Sequence, residues 1–207
     1  MTVKKNFFSM LLAAALPLVG WCADGDTFKA STVEGLELTF QVLSEDGKTC
    51  RVKDLTNKYS VTGTLTIPAE ANGYRVTTVS GLSNCWKLTE VVVSEGVTTI
   101  GSSAFYGCRE VVNISLPNTL TAIYREAFVG CSKLESIKIP DSVTAYEWSI
   151  CDGCTSLKSA NIPEHWTRIP EDMFGGCKSL ESFDISPNVT SIGESAFRGC
   201  TALKKLT

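Results

Sequence analysis

From Cys85 onward the apolar residues of this chain recur with a period of 23 residues. Taking Cys85, Cys108, Cys131, Cys154, Cys177 and Cys200 as position 0, position +3 holds Leu88, Val111, Leu134, Leu157, Leu180 and Leu203. Position +6 holds Val91, Ile114, Ile137, Ala160, Phe183 and Leu206, and +8 holds Val93, Leu116, Ile139, Ile162 and Ile185. Side chains two residues apart point to one face of a strand, so +6 and +8 predict one short half-buried strand per repeat. Pro117, Pro140 and Pro163 at +9 end that strand, where a missing N–H spoils no ladder. Further apolar positions follow at +12 (Val97, Leu120, Val143, Trp166, Val189), at +15 (Ile100, Ile123, Tyr146, Ile169, Ile192) and at +20 (Phe105, Phe128, Cys151, Phe174, Phe197). Gly107, Gly130, Gly153, Gly176 and Gly199 precede five of the cysteines and Asn84 precedes the first. Both residue types tolerate positive φ, which predicts a tight turn there.

Such a period with an L-x-x-L-x-L strand predicts a leucine-rich-repeat solenoid. The expected form is a curved right-handed coil: short parallel strands, each followed by a helical or turn-like A-F-x-G-C segment, behind a β-rich N-terminal cap. No rung buries its apolar face alone, so stacking at about 4.8 Å builds one continuous core, roughly 25 Å long for five to six rungs. The expected division is a signal peptide over residues 1–23, cap and atypical first rung over 24–83, and repeats over 84–207. In the cap, Leu36, Leu38 and Phe40 alternate, Glu45-Asp46-Gly47-Lys48 supplies a turn, and Thr49-Cys50-Arg51-Val52 follows, a hairpin pattern. Val76-Thr77-Thr78-Val79 matches Val97-Thr98-Thr99-Ile100 with two fewer residues before the next cysteine. Leu203-Lys204-Lys205-Leu206-Thr207 ends the sequence inside a strand with no C-terminal cap, so the array is read as truncated there.

The phrase Ile-Pro-x-x-Val-Thr-x-Ile-Gly-x-x-Ala-Phe-x-Gly-Cys-x-x-Leu resembles the repeat of the BspA-type leucine-rich-repeat proteins. Val189 through Cys200 and Val97 through Cys108 carry it best, and the resemblance runs from about residue 33 to the end. It implies a secreted or cell-surface protein of host-associated bacteria or protists, acting as a protein-binding or adhesion module toward a host matrix or surface protein. It implies no catalytic residues and no cofactor. The chain departs from commoner leucine-rich repeats at +11, where Gly96, Thr119, Ser142, His165 and Asn188 replace the usual asparagine ladder. A structural spacer within a larger surface protein is the alternative.

The first residues agree with export. Lys4 and Lys5 precede an apolar run from Phe7 to Val19, a secretory signal pattern too short to span a bilayer. Trp21 before Cys22 argues against lipidation, which takes a small residue there. Removal of Lys4 and Lys5 with the leader takes the formal net charge from −3 to about −5. That gives no support to nucleic-acid binding, which needs a basic stripe, and the absence of a second long apolar run leaves no expected membrane span.

Little chemistry remains. A free, buried thiol ladder fits the stacked equivalent cysteines better than the twisted disulfide dihedral does. Cys151-Asp152-Gly153-Cys154 has C-x-x-C spacing, open to a redox or zinc reading. Yet Cys154 is the ladder cysteine, Cys151 stands in for the +20 phenylalanine, and the one histidine, His165, sits in a loop. No metal site and no Ser-His-Asp set is expected. The outward strand positions Glu90, Val92, Asn113, Ser115, Ser136, Lys138, Ser159, Asn161, Ser182 and Asp184 form a small, nearly neutral face. Rung four is irregular. Trp148 at +17 and Tyr124 at +16 make either an exposed aromatic spot for a partner or a local repacking of a degenerate repeat, and the degeneracy favours repacking.

Overall fold

The computed structural model describes residues 23–206, so the expected signal sequence and Cys22 lie outside the described residues. The strands of the N-terminal part are β1 (Thr27–Ser31), β2 (Glu37–Ser44), β3 (Thr49–Leu55), β4 (Gly63–Ile67), β5 (Glu70–Ala71) and β6 (Tyr74–Val79). The repeats add β7 (Leu88–Val93), β8 (Thr99–Ile100), β9 (Asn113–Ser115), β10 (Ala122–Ile123), β11 (Ser136–Lys138) and β12 (Ala145–Tyr146). They continue through β13 (Ser159–Asn161), β14 (Arg168–Ile169), β15 (Ser182–Phe183), β16 (Ser191–Ile192) and β17 (Lys205–Leu206).

The molecule is a β-solenoid with two strand columns. The +4 to +8 segments stack in parallel as β4, β7 and β9, then β11 with β13, then β15 with β17. Pairs such as Val91 with Ile114 and Ile137 with Ala160 keep the 23-residue offset of the sequence. The second column runs β6, β8, β10, β12, with β14 and β16 continuing it. It is built on Thr-x-Ile triplets. Thr98 and Thr121 donate both their amide and their hydroxyl hydrogen to the carbonyl of the threonine one rung before, Thr77 and Thr98. Thr190 does the same to Thr167. Branched threonine suits a strand, and its hydroxyl finds an acceptor at the fixed inter-rung spacing.

On the third side, of the two forms expected, helical or turn-like, the A-F-x-G-C segment takes the turn-like one, and no helix occurs among the described residues. Amide hydrogens alternate between two destinations. Ala104, Tyr106 and Cys108 donate three residues back, to Gly101, Ser103 and Phe105. Ser103, Phe105 and Gly107 donate across to Arg125, Ala127 and Val129 on the next rung. A helix would direct every amide along its own axis, whereas here half of them join neighbouring rungs. The alternation needs positive φ twice per rung. The glycine before each cysteine supplies one (φ 66 to 72°), and Ser103, Glu126, Ser149, Asp172 and Ser195 supply the other (φ 49 to 59°).

Between these three sides lies one core. The residues at +3 from Leu88 to Leu180, with Phe105, Phe128 and Phe174, are fully buried. At the start of the array, β1, β2 and β3 pair antiparallel and β3 pairs parallel with β6, joining this sheet to the second column. Burying a leucine side chain stabilises by about 1.5–3 kcal/mol, and leaving a cavity in its place adds to the loss. Leu134→Ala is expected to cost about 2–5 kcal/mol, read as a lower urea midpoint with an unchanged slope.

Candidate functional site

The exposed faces are where this solenoid meets anything else. On the first column, Asn113, Ser115, Ser136, Lys138, Ser159, Asn161, Ser182 and Asp184 are all exposed. Glu90 and Val92 are half-buried, and the Glu90 carboxylate accepts a 2.9 Å bond from the Thr64 hydroxyl. The column is interrupted between β13 and β15, which lie side by side without joining into one sheet. A shallow groove of about 470 Å³ opens there, lined by Ser159, Asn161, Glu164, Ser182, Asp184 and Asn188 among others. Ala160, small where other rungs carry a bulky +6 residue, contributes to its floor.

Rung four combines both readings of its irregularity. Tyr146 is repacked: its ring stacks on Trp166 with centroids 3.7 Å apart, and the Trp166 indole N–H donates to Val143 O at 2.9 Å. Trp148 is not repacked. It is 43% exposed, and Tyr124 is 38% exposed. The Arg125 guanidinium lies 5.8 Å from the Trp148 ring centre, a cation–π contact, while the Arg125 amide donates to the Glu147 carboxylate at 3.0 Å. A hollow of about 300 Å³ beside them is lined by Tyr146, Glu147, Trp148, Arg168, Pro170 and Glu171. Aromatic face, both charge signs and a shallow depression make this edge the strongest candidate contact surface.

Sequence reasoning missed a second exposed aromatic pair. Tyr59, in the turn between β3 and β4, and Trp86 at +1, beside Cys85, are in contact with centroids 5.2 Å apart and ring planes tilted 36°. Trp86 was detectable, because +1 is otherwise Arg109, Ser132, Thr155, Lys178 and Thr201. Tyr59 lies outside the period, so nothing in its neighbourhood marked it.

The cysteines are a structural ladder. All eight described cysteines are free thiols. The Sγ of Cys131 lies 3.3 Å from Phe105 O and that of Cys154 lies 3.3 Å from Phe128 O. Cys177 reaches Cys151 O at 3.4 Å and Cys200 reaches Phe174 O at 3.1 Å. Each thiol therefore caps a carbonyl of the turn column one rung back. Cys151 and Cys154 are fully buried with thiol pKa values above the ordinary range. For Cys154, the hydrogen bond with Cys151 and burial both act upward. For Cys151, the bond from Cys154 acts downward and is outweighed by burial and by the neighbouring Cys177 and Cys131. A reactive C-x-x-C needs access and a lowered pKa; this one has neither. His165 is exposed, with Nε2 3.1 Å from Val143 O. Among the described residues, no group of three or more His, Cys, Asp or Glu side chains is placed to hold a metal ion. A thiol reagent is expected to titrate the eight cysteines from Cys50 to Cys200 in denaturant without reductant; a need for reductant would show disulfides instead of the ladder.

The model of the BspA type leucine rich repeat region matches residues 80–204 in six copies. Among solved structures, a leucine-rich repeat protein from Bacteroides ovatus is 24% identical, with a TM-score of 0.61, over 82% of this chain and 51% of that one. The pneumococcal vaccine antigen PcpA is 19% identical, with a TM-score of 0.68, over 89% of this chain and 49% of that one. The Treponema pallidum leucine rich repeat protein is 20% identical, with a TM-score of 0.56, over 86% of this chain and 88% of that one. These likenesses establish the fold. The chain spans about half the length of the first two. No curated protein matches it.

Proposed function

The chain belongs to the BspA-type leucine-rich repeat family, and from that premise we propose that it is an exported, non-catalytic module that binds a protein partner at the cell surface, in adhesion to a host matrix or surface protein. The Trp148–Tyr124 edge carries the reading. Two large aromatic side chains stay in solvent where the repeat elsewhere places Ser102, Arg125, Glu171 and Glu194 at +17 and Gly101, Pro170 and Gly193 among the residues at +16. Exposed tryptophan and tyrosine flanked by arginine are the residues that anchor protein interfaces. Burial and the raised thiol pKa values at Cys151 and Cys154 speak against the third reading, an exported redox protein. Among the described residues, no helix is long and apolar enough to cross a membrane.

The test is binding of the purified chain to an array of host matrix proteins, with the Trp148→Ala, Tyr124→Ala double variant alongside. Loss of two interface anchors is expected to weaken binding at least about 100-fold, each worth about 1.4 kcal/mol or more. Unchanged binding by the double variant removes this edge as the site. The small polar strand face from Asn113 to Ser182 favours a second reading, a spacer within a longer surface protein, and absence of binding to any partner would select it.

A further inference from the structure

The Tyr59–Trp86 corner lies apart from the Trp148 edge, and we propose that it binds an anionic polysaccharide, with a sugar ring stacked on the indole face of Trp86 against the edge formed by Tyr59 and its acidic groups on Lys87 and Arg109. Tyr59 is 56% and Trp86 46% exposed, although their rings touch, tilted 36° to each other. Two contacting aromatic rings left this open to water present an apolar ledge, with the Trp86 indole face as its widest surface.

The ledge is held in place. Asn84 replaces the glycine found before the other ladder cysteines, and it keeps the positive φ (61°) that position needs. Its carboxamide oxygen accepts the Trp86 indole N–H at 3.3 Å. An added Cβ on Gly107, one rung on, would stand 2.6 Å from that oxygen, so the rung above leaves room for it. On the other side, the Lys58 ammonium lies 5.6 Å from the Tyr59 ring centre and pairs with Asp54 at 3.3 Å. The indole N–H is thereby satisfied within the chain. What Trp86 offers a partner is its π-face alone.

Charge identifies the partner. Lys87 at +2 and Arg109, which follows Trp86 in the +1 column one rung on, are exposed. Neither takes part in an ion pair among the described residues, whereas the acids alongside do: Asp54 with Lys58, and Glu110 with Lys133. A chain of net charge −3 thus carries a local cationic surplus beside an aromatic ledge. The C–H face of a pyranose stacks on indole, and a uronate carboxylate or sulfate on the same ring reaches the cations. An acidic peptide satisfies the cations but has no flat apolar face for the rings. A nucleic acid has both features, but its phosphates call for a longer basic stripe than these residues provide.

The experiment measures Trp fluorescence and affinity of the full chain at low salt with heparin, desulfated heparin, polyglutamate and oligo-dT. Heparin is expected to bind and to perturb Trp fluorescence. Desulfation and Trp86→Ala are each expected to weaken binding about tenfold. Lys87→Glu combined with Arg109→Glu should abolish it, Trp86→Tyr should restore part of it, and Trp148→Ala should leave it intact. The proposal is overturned if heparin does not bind, if polyglutamate or oligo-dT binds as tightly, or if Trp86→Ala keeps full affinity. Because the Trp148 variant separates the two surfaces, failure here leaves the protein-binding reading standing, and the reverse also holds.

Discussion

Raising the pH from 8 to 11 under reducing conditions is expected to unfold this protein, with a large share of its stability already lost by pH 10. The cause is the thiol ladder. Cys85, Cys131, Cys151, Cys154 and Cys177 are fully buried, and each has a thiol pKa above the ordinary value. For Cys85 the hydrogen bond with Cys108 acts first and burial second; for Cys131 and Cys177 burial leads. Cys50, in the cap, is pushed by burial up to about 12. A group whose pKa is higher folded than unfolded contributes its full stability below the unfolded value and loses it as pH rises toward the folded one. Here that window opens at about pH 9, where thiols of the unfolded chain ionise. By pH 10 the loss is on the order of 1 kcal/mol per buried thiol, roughly 5–7 kcal/mol for the five together, against a total stability of about 5–15 kcal/mol. Circular dichroism and Trp fluorescence across the titration should show one cooperative transition between pH 9 and 11. Cys131→Ala and Cys177→Ala, each removing one titrating thiol, should flatten the pH dependence as well as shift stability. A midpoint that stays constant from pH 8 to 10 would mean that these thiols are not shielded as described.

The repeat was legible because each rung solves the same packing problem. Leu134, Phe128 and Cys131 recur at their offsets since a neighbouring rung meets them in the same place, and position in the period was enough to assign them to the core. The second strand column was equally periodic but went unread. Its triplets, such as Thr121-Ala122-Ile123, are too short for alternation to register, and the threonines earn their place through inter-rung hydrogen bonds that composition does not reveal. The turn column was legible only in part. Glycine announces positive φ, but Glu126 and Asp172 adopt it too, at 59° and 49°, because inter-rung bonding over-determines their backbone. In the candidate surfaces, Trp148 and Tyr124 were visible as departures from the period, whereas their exposure was not, since Tyr146, two residues before Trp148, packs half-buried against the core. Breaks in a periodic sequence mark where to look; the neighbouring rung decides which way the side chain turns.

Gly81→Ala is expected to cost more than about 4 kcal/mol and to detach the cap from the first rung. Elsewhere the chain takes eight residues from the +15 position to the next cysteine, as from Ile100 to Cys108, but from Val79 to Cys85 it takes six. The shortened arc passes tightly over the end of β3, where the Ser80 amide and hydroxyl both donate to Val52 O at 3.1 and 2.7 Å. Gly81 follows at φ +71°, and a Cβ there would lie 1.6 Å from the Lys53 carbonyl oxygen. Backbone, not a flexible side chain, fills that space, so β3 or residues 80–84 must move. Neither moves alone: Leu82 is fully buried, its carbonyl accepts the Cys108 thiol at 3.3 Å, and Asn84 donates its amide to Tyr106 O. The control is Gly35→Ala, at φ +77° with nothing within 4 Å, where only backbone preference is lost, about 1 kcal/mol. In urea denaturation the Gly35 variant should shift slightly as one transition, whereas the Gly81 variant should lose most of its stability or separate into a cap phase and a repeat phase. Equal costs at the two glycines would show that close approach to β3 does not hold the cap to the array.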